Sequence, residues 1–320
     1  MRLCLFVGVA TCFMLTACSS GPSRAKSPHG AIAPVSAQAA RSLTILRGDG
    51  SPASWSDVVA AATGADAVIV GENHGHRMGL ASAAALWDDV LAKSPKAVLA
   101  MEFFERHEQA DLSDYLTGVT DDAGLRKALK RDDSSFPPGH QAMVKAAKEA
   151  GRPVIAANAP RRYVRLARTE GFDRLKTLTP EQQRLFAIPQ VVPTGKYRED
   201  FEKVMNENAG IKPEQLADEK FATERRATID KTFRSQSVWD WTMSQSVVNG
   251  MSLGTPVLLV VGRFHCDHTG GLVQALKLQN NAAKVVVVSY IDAAAPADGK
   301  LTDSDKGRAD FLIFAGTDGN

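Results

Sequence analysis

Six short apolar runs, separated by stretches with helical spacing, constrain the fold of this chain most strongly. The runs cover residues 67–70, 97–101, 153–157, 257–261, 284–290 and 311–314. Many of their residues are β-branched, and apolar residues at intervals of three or four after the first run indicate an amphipathic helix. Continuous apolar strands that alternate with helices are typical of parallel strands buried on both faces. We therefore predict an α/β fold: a mostly parallel sheet covered by helices on both faces, with 311–314 as an edge strand.

The beginning of the chain resembles a targeting signal. Arg2 precedes a mostly apolar run, 3–17, which is shorter than the ~20 residues that a membrane-spanning helix needs. Small residues precede Cys18, as in the lipobox of bacterial lipoproteins, so we predict a signal peptide over 1–17 and a lipidated Cys18. An ordinary cleaved signal peptide is the alternative. Ser19 follows the cysteine at the position where an inner-membrane retention signal usually has Asp. By resemblance, this favours the outer membrane.

The remaining chain divides by composition. Residues 18–42, rich in Ser, Ala, Pro and Gly, are expected to form the lipid anchor and a flexible tether to a domain over 43–320. The stretch 161–235 holds 16 Lys and Arg and 12 Asp and Glu residues with no convincing strand. It is expected to be a helical insertion that acts as a lid or a partner surface. A solvated helical face without a special role is the alternative.

Polar residues follow four of the predicted strands at the point where each strand ends. They are Glu72, His74, His76, Glu102, Asn158, His265 and His268. Ligands of doubly wound sheets sit beyond the carboxyl ends of the strands. We therefore predict that Glu72, His74, Glu102 and His265 form one site, which His76, Asn158 and His268 are candidates to join. Asp240 is a further candidate, although an acid near the start of a helix has an adequate structural explanation.

Two kinds of chemistry fit such a cluster. Carboxylates and imidazoles can bind a divalent metal, or they can hold a water between a general base and an orienting acid. The zinc-protease H-E-x-x-H pattern, the G-x-S-x-G elbow and a glycine-rich phosphate loop are missing from the sequence. Cys266 is the one cysteine beyond residue 18, and we expect a buried, inert thiol there. With 38 basic and 36 acidic residues, net charge gives no reason to expect nucleic-acid binding.

Five motifs in order resemble those of ChaN-type haem-binding lipoproteins. They are Gly71-Glu72-x-His74, Met101-Glu102-Phe103, Asn158-Ala159-Pro160-Arg161, Trp239-Asp240-x-x-Met243 and Gly262-x-x-His265. The resemblance covers about residues 70–315, and the lipobox agrees with it. It implies a bacterial haem-binding lipoprotein of the outer membrane, and a wider superfamily that includes hydrolytic erythromycin-esterase-like and Tiki-like members.

The resemblance also implies that haem is held by a tyrosine, with a homodimer bringing two haems together. Phenolate is a suitable ligand for ferric haem. Tyr163 and Tyr197 are the candidates for that ligand, and Arg161 and Arg162 are candidates to bind the propionates, with a solvated arginine face as the alternative. Two hypotheses follow: a haem-binding protein for haem or iron acquisition, and a hydrolase that uses the Glu and His cluster, with or without a divalent metal.

Overall fold

The computed structural model describes residues 34–132 and 135–317. The predicted signal peptide, Cys18 and most of the predicted tether lie outside the described residues. Pro34 ends one unit of the chain, and every element below belongs to the second unit, which begins at Val35.

The sheet has eight strands. They are β1 (Thr44–Arg47), β2 (Pro52–Ala53), β3 (Ala67–Glu72), β4 (Val98–Glu105), β5 (Val154–Asn158), β6 (Val257–Gly262), β7 (Val285–Ile291) and β8 (Phe311–Phe314). Their order is β2-β1-β8-β7-β3-β6-β4-β5. Strands β3 to β8 are mutually parallel, while β1 pairs antiparallel with both of its neighbours. The predicted α/β fold with a mostly parallel sheet is confirmed.

In the described part of the chain, twelve α-helices connect or flank these strands. They are α1 (Ala37–Arg41), α2 (Trp55–Thr63), α3 (Arg77–Lys93), α4 (Gln109–Leu116), α5 (Asp122–Ala128), α6 (Pro138–Glu149), α7 (Arg161–Glu170), α8 (Phe172–Lys176), α9 (Pro180–Gln183), α10 (Lys196–Asn208), α11 (Glu219–Gly250) and α12 (Gly271–Gln279). Three short 3-10 helices cover Arg106–Glu108, Pro213–Ala217 and Arg263–His265. Within the described residues, no helix is both long enough and apolar enough to cross a membrane.

Burial on both faces explains why the central strands are apolar throughout. All six residues of β3 are buried. Val68 and Val70 pack into the core on one face, whereas Ile69 packs into the core on the other, because successive side chains of a strand point to opposite faces. Each such side chain contributes about 1.5–3 kcal/mol through burial. Met243 and Val247 of α11 belong to the second core, so the second half of α11 covers that face.

Two local expectations are wrong. Strand β8 (311–314) is not at the edge, because the hairpin of β1 and β2 adds two strands beyond it. These strands are too short to give an alternating pattern. The segment around Asp240 does not open a helix either, since it lies deep within α11, which begins at Glu219 after its N-cap Asp218. The charged segment 161–235 contains helices and no strand among its residues, all of which are described.

Candidate functional site

The strand order brings the predicted site residues to one edge of the sheet. Strand β6 lies between β3 and β4, and Glu72 at the end of β3 is in register with Gly262 at the end of β6. The backbone N–H of Gly262 donates to Glu102 Oε2 at 2.6 Å. Glu102 Oε1 lies 3.6 Å from His265 Nε2. Register in β4 shifts between Met101 and the pairing at residue 105, and such irregularities re-aim side chains.

Glu72 is a buried carboxylate held by two imidazoles. His74 Nδ1 donates to its Oε1 at 3.0 Å, and His140 Nε2 donates to its Oε2 at 2.8 Å. Burial by itself would raise the pKa of Glu72, but the bonds from His140 and His74 outweigh it and leave that pKa below its usual value. His140, on α6, was missed by the sequence reasoning because it follows no strand and no motif marks it.

His74 is the exposed member of the cluster, with 69% of its side chain accessible. The hydrogen bond to Glu72 raises the pKa of His74. A carboxylate on Nδ1 fixes the orientation and the tautomer of the ring. The other ring nitrogen, Nε2, lies against the Gly262 backbone, where a Cβ would be 2.9 Å from it. Glycine at 262 therefore makes room for this imidazole.

A second chain of hydrogen bonds extends from His265 into the protein. His265 Nδ1 donates to Asp240 Oδ1 at 2.6 Å, and the Tyr197 hydroxyl donates to Asp240 Oδ2 at 2.8 Å. Asp240 is fully buried, and Gly271 allows this packing, since a Cβ there would lie 2.1 Å from Asp240 Oδ2. Gln236 Nε2 lies 3.2 Å from His265 Nδ1. No strand-end signal marks Gln236, which the sequence reasoning missed.

For both Asp240 and His265, burial and the neighbouring charges shift the pKa in opposite directions. Burial raises the pKa of Asp240, against the bonds and charge of its partners. Burial lowers the pKa of His265, but Asp240 and Glu102 more than offset it and raise that pKa. Burial also raises the pKa of Tyr197 well above its ordinary value, with Asp240 adding to the effect. Tyr197 is therefore a neutral hydrogen-bond donor at neutral pH.

We call these six residues the strand-end site: Glu72, His74, Glu102, His140, Asp240 and His265. His265, whose Nδ1 donates to Asp240 and whose Nε2 lies 3.6 Å from Glu102, has the arrangement of a general base that a carboxylate orients. Within the described residues, no group of three or more His, Cys, Asp or Glu side chains is arranged to hold a metal ion.

The other strand-end candidates have separate contacts. His76 caps α3, accepts from the Gly79 N–H at 3.1 Å and donates from Nε2 to the Gly316 carbonyl at 2.9 Å. The Asn158 side chain accepts from the neighbouring backbone at 2.9 Å. His268 has a positive φ of 54°, and burial lowers its pKa. Cys266 is fully buried, burial raises its pKa, and its thiol donates to a backbone carbonyl, which fits the predicted inert thiol.

A cavity of about 510 Å³ lies between α7 and α11, and we call it the arginine cavity. Four arginines of α7 line it, together with residues of α11: Arg161, Arg162, Arg165, Arg168, Gln236 and Trp239. Arg161 is 88% exposed and lies 3.9 Å from a carboxylate oxygen of Glu105. Trp239 Nε1 is buried without a hydrogen-bond partner in the described residues. Gln236 connects this cavity to His265 of the strand-end site.

Both tyrosine candidates are buried. Tyr163 is 7% exposed, and its ring packs on Phe186 at a centroid distance of 4.8 Å. Residues 161, 162, 164, 165 and 168 line the arginine cavity, and Tyr163 is not among its lining residues. Tyr197 is 2% exposed, with its hydroxyl on Asp240. The four arginines of α7 thus line a cavity to which neither of the two candidate tyrosines contributes a lining side chain.

The fold and the strand-end site define an α/β protein with a mostly parallel sheet and an acid–imidazole cluster at its carboxyl edge. A family model described as "Haem-binding uptake, Tiki superfamily, ChaN" matches residues 58–276. The chain belongs to this family, as the motif resemblance predicted. No curated protein matches the sequence significantly.

One of the solved structures to which this chain is similar supports the fold. A structure titled "Cofacial heme binding to ChaN of Campylobacter jejuni" is 17% identical, covers 85% of this chain and 96% of its own, and superposes with a TM-score of 0.63. A mutant of the erythromycin esterase EreC in its open conformation is 12% identical, covers 74% and 72%, and has a TM-score of 0.42. A succinoglycan biosynthesis protein is 14% identical, covers 80% and 74%, and has a TM-score of 0.44.

Proposed function

We propose that this protein is a haem-binding lipoprotein of the bacterial cell envelope that serves haem or iron acquisition. The arginine cavity is the observation that carries the proposal, because it is the place where a flat, dianionic ligand fits. Membership in the ChaN family supports haem as that ligand, and ChaN of Campylobacter jejuni, a protein of this fold, binds haem cofacially.

Each part of the arginine cavity has a role in this proposal. Arg161 and Arg162 bind the propionates, with Arg165 beside them, because guanidinium groups pair well with carboxylates. The indole of Trp239 supplies a flat aromatic wall and an unpaired N–H donor. Haem would supply a ferric iron that takes an axial ligand. Tyr163 and Tyr197 remain the predicted ligands, and ligation by Tyr197 requires its hydroxyl to leave Asp240.

Titration with haemin tests this proposal. A saturable Soret shift is expected, with a ferric high-spin spectrum if a phenolate is the ligand. Arg161→Gln combined with Arg165→Gln should weaken binding about tenfold. Arg174→Gln is the matched control, since Arg174 pairs with Glu170 on the surface and does not line the cavity. An absent Soret shift, or equal affinity in the double variant and the control, would contradict the proposal.

The axial ligand and the oligomeric state need separate measurements. Tyr163→Phe and Tyr197→Phe each keep the ring and remove the ligand oxygen, so the spectrum of the variant that loses the ligand should change. Unaltered spectra in both variants and in the double variant would exclude ligation by Tyr163 and by Tyr197. Sedimentation with and without haemin tests the proposed homodimer, which predicts a doubling of mass.

Anchoring is a distinct part of the proposal and rests on the lipobox. Cys18→Ser should release the protein from the membrane fraction or leave an uncleaved precursor. Separation of inner and outer membranes shows which membrane holds the wild-type protein, and we expect the outer membrane. Unchanged fractionation and unchanged mass in the variant would rule out a lipid at Cys18.

A hydrolase is the second candidate, and the pairing of His265 with Asp240 favours it. Asp240 orients the imidazole, so His265 Nε2 can accept a proton from a water beside Glu102. Ester and peptide probes, with and without added Zn²⁺ or Mn²⁺, test this activity. His265→Gln should abolish hydrolysis, whereas His268→Gln, outside the cluster, should retain it. Equal rates in the two variants would exclude His265 as the base.

A further inference from the structure

A larger cavity runs along the free edge of the sheet. It encloses about 860 Å³ between β5, α4 and the end of α11, and we call it the β5 cavity. Strand β5 is the last strand in the sheet order, so its outer edge has no strand neighbour. Five apolar side chains line the cavity: Leu116, Val154, Ile155, Leu185 and Leu253. Leu253 is 56% exposed, so part of this apolar wall meets solvent.

The polar edge of β5 is already occupied by a side chain. Gln109 Nε2 donates to the Val154 carbonyl at 3.0 Å, and Gln109 Oε1 accepts from the Ala156 N–H at 2.7 Å. A side-chain amide thus makes the two hydrogen bonds that an added strand would make here. The β5 cavity is therefore shaped for a ligand that lies against apolar side chains, and not for a peptide that extends the sheet.

The charged side chains that line the β5 cavity in the described residues are all cationic. Arg106, Lys148, Arg152 and Arg184 line it, and no Asp or Glu is among its lining residues in the described parts of the chain. None of the four forms an ion pair with another described residue. The Arg106 guanidinium donates to Ser246 and to neutral oxygens of three other residues, and burial lowers its pKa to about 10.

A buried guanidinium with neutral partners is costly, because its hydrogen bonds are satisfied but no carboxylate of the described residues offsets its charge. Three further cations at the same cavity add to the positive potential. The Lys148 ammonium lies 3.7 Å from the centre of the Tyr115 ring, and the Arg152 guanidinium donates hydrogen bonds to backbone carbonyls. An anion that enters the cavity would meet positive charge from these side chains and no carboxylate among the described lining residues.

We infer that the β5 cavity binds a small amphiphilic anion, a carboxylate or phosphate monoester on an apolar chain. The volume lies within the usual range of small-molecule sites. The leucines and the β5 side chains take the apolar chain, and the four cations take the head group. This site is separate from the arginine cavity, so its ligand does not depend on the proposed haem binding.

Fluorescence titration with 11-(dansylamino)undecanoate tests the inference on the purified protein. We expect saturable binding, with the uncharged methyl ester of the probe bound at least about tenfold more weakly. Dodecanoate and dodecyl phosphate, added as competitors, distinguish a carboxylate from a phosphate head group. Lys148→Gln combined with Arg184→Gln should weaken probe binding about three- to tenfold. Lys145→Gln, on the same helix but outside the cavity lining, is the matched control.

Ser113→Trp provides an independent test, because it places an indole in the β5 cavity from the exposed face of α4 and should block the probe. Failure of the probe to bind, equal binding of the methyl ester, or no effect of the double variant and of Ser113→Trp would each overturn the inference. Competition between haemin and the probe, together with weaker haemin binding in the double variant, would also overturn it by making this cavity the haem site.

Discussion

Replacement of Tyr197 by Phe separates a structural role of this side chain from a role as haem ligand. The hydroxyl donates to the buried carboxylate of Asp240 at 2.8 Å and is inaccessible to solvent. A hydrogen bond to a charged group contributes about 1.5–3 kcal/mol, and water cannot replace it at a buried site. We therefore expect Tyr197→Phe to lower the free energy of unfolding by about 2 kcal/mol and Tm by about 4–8 °C.

Urea unfolding followed by circular dichroism, without haem, measures this effect. Tyr163→Phe is the matched control: its ring is also buried, but its hydroxyl makes no hydrogen bond within the described residues, so a change below about 0.5 kcal/mol is expected. The variant Asp240→Asn and the double variant with Tyr197→Phe complete a cycle. Because the two groups are in contact, their effects should be non-additive by about 1 kcal/mol or more.

Equal stabilities of Tyr197→Phe and wild type would refute this reasoning, because the hydrogen bond would then contribute nothing. Additive effects in the cycle would show that any loss comes from packing and not from the bond to Asp240. A large loss of stability combined with an unchanged haem spectrum would assign Tyr197 to the support of Asp240 and leave the axial ligand elsewhere.

Three further predictions concern the other half of the strand-end site. Glu72→Gln should lower the free energy of unfolding by about 3 kcal/mol, because it leaves the buried His140 without its carboxylate; urea unfolding measures the loss. The pKa of Glu72 in the folded protein lies below its unfolded value of 4.5. The ionised carboxylate therefore contributes its full share of the free energy of unfolding above pH 4.5, and this share is lost as the pH falls through the folded pKa. Plots of stability against pH for wild type and Glu72→Gln should converge in acid, and parallel plots would refute the pKa shift. Gly262→Ala should displace the exposed His74 ring, which a shifted His74 resonance in NMR spectra would show. The free energy of unfolding should change by less than about 1 kcal/mol.

The sequence was sufficient to predict a strand where the local hydrophobic pattern of the segment matches its burial in the fold. The apolar runs predicted β3 to β8 because strands covered on both faces have no polar residues to interrupt them. The same logic placed Glu72, Glu102 and His265 together, since parallel strands end at one edge. The hairpin of β1 and β2 was missed because two short strands at a partly solvated edge carry no distinctive pattern.

Two members of the strand-end site come from helices that no strand-end argument reaches. His140 meets Glu72 because α6 packs beside the carboxyl end of β3, and Asp240 meets His265 because α11 lies on the sheet. A histidine or an aspartate within a helix is compatible with many environments. Its partner is fixed by how the helix packs and not by its neighbours in the chain.

The sequence by itself determined the parallel sheet, the family and the edge at which the acids and imidazoles collect, because these follow from hydrophobic pattern and from residues next to strand ends. Tertiary structure alone decided which groups are available for chemistry. It buried Tyr163 and Tyr197, brought four arginines of α7 to one cavity, and lined the β5 cavity with four cationic side chains. The physical reason is that burial and pairing depend on contacts between distant segments, whereas a local pattern records only the environment that each segment needs.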